Sequence, residues 1–235
     1  MNILIHEKNV RRNAKIGQYT SLASLVILAG GMYVSFVYPN LLYISFIALL
    51  VGFVLSQVGI YYGNRWGRHP RVDERLTATL KGLTKDYTMY HYLTPVNHLL
   101  VGPAGVWVIE PYYQRGTIVY DGKKWKQKGG GLLLSYLKLF AQEGLGRPDF
   151  EVKTDIDNIL NTLKKALGED QPLPAIHAAL IFTDDRAVLE ADNAPYPTIK
   201  VEQLKELLRK TAKQTPFSAA EIKRITDVLP NESVE

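Results

Sequence analysis

The sequence contains no cysteine, which excludes disulfide bonds and thiolate metal ligands and fits a reducing compartment. Its five histidines lack the His-x-x-x-His spacing of a helical metal site, so we interpret them as structural or solvated residues. The glycines at 129–131 are not followed by the Lys-Ser/Thr pair of a phosphate-binding loop. Thiol chemistry, helical histidine metal sites and P-loop nucleotide binding are therefore not predicted.

Charge is missing from two long stretches near the N-terminus. Residues 20–38 and 41–62 carry no charged side chain, and Pro39-Asn40 separates them. A bilayer core needs about 20 apolar residues in a helix, and both stretches satisfy that length. The alternative is a pair of buried core helices, but uncharged helices of this length joined by two residues are rare in soluble proteins. We predict a transmembrane helical hairpin over residues 19–63, after a cytoplasmic N-terminal segment at residues 1–18.

Basic residues flank both predicted spans, whereas the turn between them carries no charge. These flanking cations are Arg11, Arg12 and Lys15 before the first span and Arg65, Arg68 and Arg71 after the second. The positive-inside bias predicts a two-span protein of the cell inner membrane with both termini in the cytoplasm. The lipid bilayer is then its first partner, and the net charge of +5 also suits nucleic acid. Gly30, Gly31 and Gly52 permit close helix packing, within one chain or between chains.

Residues 64–235 have the pattern of one α/β domain. Helical periodicity covers Val72–Leu83 and Pro148–Gly168, and Ala175–Phe182 has the continuous apolar composition of a central strand. Further predicted elements are strands at 87–93, 117–120, 124–127 and 198–201, and terminal helices at 202–211 and 218–229. Residues 132–140 are too short to cross a bilayer and too apolar for water, so they pack on the core or lie on the membrane surface.

The segment Val96–Gly116 consists of two apolar runs joined by Gly-Pro-Ala-Gly, which predicts a hairpin inside a buried sheet. The second run ends on Glu110, at the point where a buried strand would meet solvent. Sheet-based enzymes commonly place a metal ligand at that point.

This segment resembles the nuclease-related domain (NERD), a module similar to the PD-(D/E)XK nuclease superfamily. The residues that fit the family pattern are His98, Leu99, Leu100, Val101, Gly102, Pro103, Gly105, Val106, Val108, Ile109, Glu110 and Gly116. The resemblance implies an α/β fold with a PD-(D/E)XK-like mixed sheet flanked by helices, here preceded by the transmembrane hairpin. Two positions depart from the family: its metal-binding Asp is Asn97, and its catalytic Lys is Tyr112.

Phosphodiester hydrolysis in that superfamily uses divalent cations held by carboxylates. The resemblance makes Glu110 and Glu74 the metal ligands, while Asn97 lacks the charge and Tyr112 the ammonium group that the chemistry needs. Glu151 and Lys153, at the start of the later helix, would be a rebuilt carboxylate and cation. The alternative for both is an ordinary solvated first turn, where acidic residues favour the helix dipole.

We therefore expect a catalytically degenerate domain without a cofactor, acting as a binding module for nucleic acid or for another membrane protein. The alternative is an active Mg²⁺- or Mn²⁺-dependent nuclease with a rearranged site, and a third possibility is a structural subunit of a membrane complex. A basic patch would contact a nucleic-acid backbone, although lysines at a hairpin tip also simply keep an edge soluble. This patch consists of Lys123, Lys124, Trp125 and Lys126.

Overall fold

The structure, a computed structural model, describes residues 1–129, 131–141 and 144–234. It contains two compact units. The helical unit comprises Lys8–Arg71 and the second half of a later helix, and the α/β unit comprises the remaining described residues, including Met1–Glu7. The predicted α/β class, with a mixed sheet, flanking helices and two apolar N-terminal helices, is confirmed.

The helical unit contains α1 (Glu7–Val37) and α2 (Leu42–Tyr62), joined by a short 3-10 turn at Pro39–Leu41. Both helices are long and apolar enough to cross a membrane. Only 11% and 6% of their most apolar windows are buried, so they are not the covered core helices of the soluble alternative. The first helix begins well before residue 19, because its polar first turns continue directly into the apolar stretch.

Small residues at a seven-residue spacing line the contact between α1 and α2. On α1 they are Gly17, Ser24 and Gly31, and on α2 they are Gly52 and Gly59. The Ser24 hydroxyl donates to the Gly52 carbonyl at 2.8 Å. A Cβ added to Gly31 would lie 2.6 Å from the Cβ of Ala48. Gly31 and Gly52 therefore pack within the chain, where small side chains let the two backbones approach closely.

The strands of the described chain belong to the α/β unit. They are β1 (Asn2–Ile5), β2 (Thr88–His91), β3 (His98–Gly102), β4 (Gly105–Tyr112), β5 (Gly116–Tyr120), β6 (Trp125–Lys128), β7 (Ile176–Phe182), β8 (Ala187–Glu190) and β9 (Thr198–Lys200). The remaining described α-helices are α3 (Val72–Leu80), α4 (Gly131–Phe140), α5 (Pro148–Leu167), α6 (Leu204–Gln214) and α7 (Ala219–Thr226). The strands form a six-stranded sheet of order β1-β2-β3-β4-β7-β9 and a three-stranded sheet of order β6-β5-β8.

The larger sheet is mixed, as expected. Strands β2, β3 and β4 are antiparallel, whereas β1 runs parallel to β2, and β7 parallel to both β4 and β9. The Gly-Pro-Ala-Gly turn joins β3 to β4 with Gly102 paired to Gly105, and Gly105 has φ +94°. A side chain on Gly102 would run into the ring of Tyr87. The predicted hairpin and the central position of β7 are confirmed, and β9 lies at an edge of the sheet.

Helices cover both faces of the larger sheet because alternate strand residues point to opposite sides. On one face, Val106 and Val108 pack with Val152 and Ile159 of α5. On the other face, the apolar residues of α3 and α6 pack on the alternate strand residues; these include Leu76, Leu80, Leu100, Trp107, Ile109, Leu204 and Leu208. A capping box is present at the start of α7, with the Ser218 hydroxyl accepting from the Glu221 N–H at 3.2 Å.

The sequence analysis predicted the strands at 117–120 and 124–127, which form the β5–β6 hairpin, but it missed β1 and β8. Asn2–Ile5 pairs residue by residue with Thr88–His91, and the Asn2 N–H donates to the Tyr87 carbonyl at 2.7 Å. The hairpin predicted around Asp121-Gly122 has a longer connection, because Asp121 Oδ1 accepts from the Lys124 N–H at 2.8 Å and closes the turn with its side chain.

Candidate functional site

The candidate site lies where β4 and β7 end side by side. In the parallel pairing of β4 with β7, Glu110 lies opposite Leu180 and Tyr112 lies opposite Phe182. Glu110 and Tyr112 alternate with Ile109 and so point to the face covered by α5. Beyond β7, the Thr183 N–H donates to the Tyr112 carbonyl at 2.8 Å and continues the pairing. Because these strands are parallel, their carboxyl ends open at one edge of the sheet, a common place for a ligand site.

Tyr112 binds the first turn of α5. Its hydroxyl donates to Oε2 of Glu151 at 2.7 Å, and its ring stacks on Phe182 with centroids 5.3 Å apart. The residue is 5% exposed, and burial, followed by the adjacent Glu151 carboxylate, raises the pKa of Tyr112. Tyr112 is therefore a neutral hydrogen-bond donor, not a substitute for an ammonium group.

Glu151 is held in place by the turn that precedes α5. Its Oε1 accepts from the Arg147 N–H at 3.2 Å, and Pro148 occupies the first position of the helix. Gly146 has φ +73°, and a Cβ there would lie 2.6 Å from Glu151 Oε1. Glycine thus provides both the backbone conformation and the space that bring the carboxylate to Tyr112.

Glu110 forms a hydrogen bond with Asp155, a residue that the sequence analysis missed. Burial raises the pKa of Asp155, the hydrogen bond with Glu110 lowers it, and the neighbouring Glu151 carboxylate raises it. Two carboxyl groups can share a hydrogen bond only when one of them holds a proton, and the net rise in the pKa of Asp155 favours the protonated form of that carboxyl. The sequence feature that could have identified Asp155 is its spacing, because it follows Glu151 by four residues and so lies on the same face of the helix.

The remaining predicted site residues are Asn97, Glu74 and Lys153. Asn97 precedes β3, and continuing the β3–β4 register places it beside Glu110, but its side chain is exposed. Glu74 belongs to α3, which packs on the opposite face of the sheet from α5. Lys153 is exposed and points about 200° around the helix from Glu151, so it supplies no cation to this cluster.

The carboxyls of this site are bonded to other protein groups, whereas the nuclease-related resemblance implies that they hold a divalent cation. Within the described residues, no group of three or more His, Asp or Glu side chains is arranged to hold a metal ion. Glu110 is engaged with Asp155, and Glu151 accepts from Tyr112 and from Arg147. The site therefore consists of interacting carboxyls beside a neutral hydrogen-bond donor, and we assign no chemical step through a metal.

His98 makes a buried hydrogen bond with a second histidine. Its Nδ1 lies 2.9 Å from Nδ1 of His91, and Nε2 of His91 lies 3.0 Å from Oγ1 of Thr77. One ring must accept in the bond between the two Nδ1 atoms, which requires that ring to be neutral. Burial, and then the proximity of His91, hold the pKa of His98 well below its usual value. This pair ties β2 to β3 and, through Thr77, to α3.

The basic hairpin tip is partly neutralised by its own contacts. Lys126 pairs with Asp121 at 2.6 Å, and its ammonium, with two backbone N–H groups, lowers the pKa of Asp121 to about 2. Trp125 is half-buried, donates from Nε1 to Asp149 at 2.8 Å and packs on Tyr120. Its ring is therefore a structural contact rather than a free stacking platform. Lys123 is exposed at the tip, as is Lys124.

The sequence and the fold were compared with known proteins. No protein-family model, no curated protein and no solved structure matches this chain.

Proposed function

We propose that this chain is a membrane-anchored protein whose α/β unit faces the cytoplasm and acts as a binding module of the nuclease-related type, without phosphodiesterase activity. One observation carries the proposal. At the position where the nuclease-related pattern has its catalytic lysine, the buried hydroxyl of Tyr112 donates to Glu151. The carboxylates that a nuclease would offer to a metal are instead bonded to a phenol and to one another.

The membrane anchor is supported by the surface of the helical hairpin. Large apolar side chains of both helices are exposed: Leu25 is 67% exposed on α1, and Phe46 is 66% exposed on α2. An exposed apolar surface that runs the length of two helices needs a partner, and lipid fits it without further assumptions. The basic flanks then place the connecting turn outside and both termini inside.

Strand β1 supports a hairpin with two crossings. Asn2–Ile5 precedes both helices, yet it pairs in the same sheet as β2, which follows them. The N–H of Ile5 also donates to Oγ of Ser233, near the other end of the chain. This pairing supports an arrangement in which the residues before and after the anchor lie on one side of the bilayer, as an even number of spans would give.

Cleavage is tested with the full chain in lipid nanodiscs. Duplex and single-stranded DNA are incubated with it in Mg²⁺ or Mn²⁺, and we expect both to remain intact. Cleavage that persists on repurification and disappears in Glu110→Gln would establish the metal-dependent nuclease instead. The variant Asn97→Asp/Tyr112→Lys provides a complementary measurement, and it should gain metal affinity because it adds a carboxylate and removes the phenol.

Between the two binding partners, the contacts of the hairpin tip favour a protein. Trp125 is tied to Asp149, and Lys126 to Asp121, which leaves less of the patch to follow a phosphate backbone. We expect the nanodisc-bound chain to retain DNA weakly at low salt and not at physiological salt. Retention that survives physiological salt and is lost in Lys123→Ala/Lys124→Ala would assign the module to nucleic acid.

A further inference from the structure

Helix α4 presents an apolar stripe to its surroundings. Leu132 is 91% exposed, Tyr136 57% and Phe140 37%, and the rings of Tyr136 and Phe140 are 4.7 Å apart. These residues recur every four positions and so share one side of the helix. Lys138 is the single charged residue of α4 and lies about 200° around the helix from Tyr136. An exposed apolar side opposite a cation is the pattern of a helix that lies in a membrane interface.

The end of α4 packs against α2 within the helical unit. The ring of Phe140 meets the ring of Phe53 edge to face, with centroids 6.0 Å apart. Gln57 Nε2 lies 3.3 Å from the Phe140 carbonyl, and Asn64 Nδ2 lies 3.3 Å from the Ala141 carbonyl. Phe53 is about 14 Å along α2 from Tyr62, so this contact falls within the apolar stretch of the helix.

These two hydrogen bonds satisfy carbonyl groups that would need a protein partner only in a low-polarity environment. The last carbonyls of a helix have no partner within it, and in water they need none from the protein. In lipid, an unsatisfied carbonyl is costly. The side-chain amide of Gln57, in the uncharged helix α2, donates to the Phe140 carbonyl, and the side-chain amide of Asn64 donates to the Ala141 carbonyl. Both amides thus have a role that an aqueous location of α4 would not require.

We propose that α4 is a third membrane element, an in-plane helix whose Leu132–Tyr136–Phe140 stripe is inserted into the cytoplasmic lipid leaflet. The inference rests on the proposed membrane anchor and goes beyond it by adding a monotopic contact. Lys138 reaches the headgroup layer, while the stripe lies on the apolar side of the headgroup–acyl boundary. The occupant of this face is the bilayer itself, because Phe140 at the end of the stripe packs on Phe53 of the apolar helix α2.

The cysteine-free sequence allows a direct test. Single cysteines are introduced in the full chain at Leu132, at Leu50 in α2 and at Val188 in β8, all of which are highly exposed. Each is labelled with an environment-sensitive fluorophore after reconstitution into phosphatidylethanolamine–phosphatidylglycerol vesicles. Quenching is then measured with lipids that carry a shallow or a deep spin label, and with aqueous iodide. Circular dichroism verifies that each variant is folded.

We expect the Leu132→Cys probe to be quenched several-fold more by the shallow lipid label than the Val188→Cys probe, and to be protected from iodide. The Leu50→Cys probe should respond most to the deep label. If Leu50→Cys reports lipid while Leu132→Cys behaves like Val188→Cys, the in-plane helix is wrong and the anchor stands. If Leu132→Cys is shielded from both iodide and lipid, protein covers the stripe and the inference is also wrong. If Leu50→Cys itself fails to report lipid, the anchor fails.

Discussion

Replacing Tyr112 with phenylalanine removes the hydroxyl that donates to Glu151 at 2.7 Å while leaving the ring stacked on Phe182. A hydrogen bond to a charged group contributes about 1.5–3 kcal/mol to stability. Glu151 is exposed, so water can replace the lost donor, and its other oxygen still accepts from the Arg147 N–H. We therefore expect Tyr112→Phe to lower the free energy of unfolding by about 1–1.5 kcal/mol, just below that range.

A double-mutant cycle with Glu151→Ala isolates this contact. Glu151→Ala also removes an acidic side chain from the first turn of α5, but that effect is the same with either tyrosine or phenylalanine at position 112 and cancels in the cycle. The expected coupling energy is about 1 kcal/mol. Urea unfolding of the full chain in detergent provides the measurement, with the fluorescence of buried Trp107 reporting on the sheet. A coupling within about 0.3–0.5 kcal/mol of zero, the range for independent sites, would refute the assigned contact.

The same contact predicts an alkaline effect with a definite sign. The pKa of Tyr112 is raised in the folded state, first by burial and then by Glu151. An unfolded tyrosine ionises near pH 10, whereas the folded hydroxyl keeps its proton at that pH. Stability gained from Tyr112 is therefore complete below about pH 10 and declines as the pH rises further. The difference between wild type and Tyr112→Phe should narrow above that pH; a constant difference would contradict the argument.

Three further experiments test the rest of the fold and the carboxyl cluster. Gly59→Ala should destabilise the hairpin, because the new Cβ would lie 3.0 Å from the Ser21 backbone nitrogen, whereas Gly30→Ala meets nothing within 4 Å and should be neutral or stabilising in thermal unfolding. Leu4→Pro should weaken the pairing of β1 with β2 more than Ile3→Pro does, as measured by hydrogen exchange of β2. The N–H groups of Asn2 and His6 donate to the carbonyls of Tyr87 and His91, and strand alternation places the N–H of Leu4 on the same side as these two. Equal effects of the two substitutions would refute the pairing. Asp155→Asn should reduce the decline in the free energy of unfolding that occurs as the pH rises above about 4, because the raised pKa of this carboxyl favours the folded state only while the carboxyl stays protonated. An unchanged dependence of this free energy on pH, measured by urea unfolding, would show that Asp155 does not hold the proton.

Local patterns predicted much of the fold. The charge-free stretches predicted α1 and α2, and the glycine-proline turn between apolar runs predicted the β3–β4 hairpin. Helical periodicity predicted α5 almost to the residue, and the Ser218 capping box marked the start of α7. In each case the determining contacts lie within a few residues along the chain, so the sequence pattern itself carries the information.

The site was only partly predictable for the same reason. The sequence identified Glu110, Tyr112 and Glu151, because a strand end and a helix start are local features. It missed Asp155, whose raised pKa depends on burial beside a strand that is distant in the chain. It also proposed Lys153 as a cation for the site, although the rotation of α5 places that side chain on another side of the helix.

What the sequence determined by itself is therefore the set of elements: two apolar helices, an α/β pattern and a strand that ends in a carboxylate. Only the tertiary structure decided that Asn2–Ile5 joins the sheet across the two apolar helices, that β8 pairs with β5, and that the phenol of Tyr112 reaches Glu151. The physical reason is that strand pairing and side-chain hydrogen bonds depend on which distant segments the hydrophobic core brings together. No local periodicity in the sequence indicates which distant segments will pair.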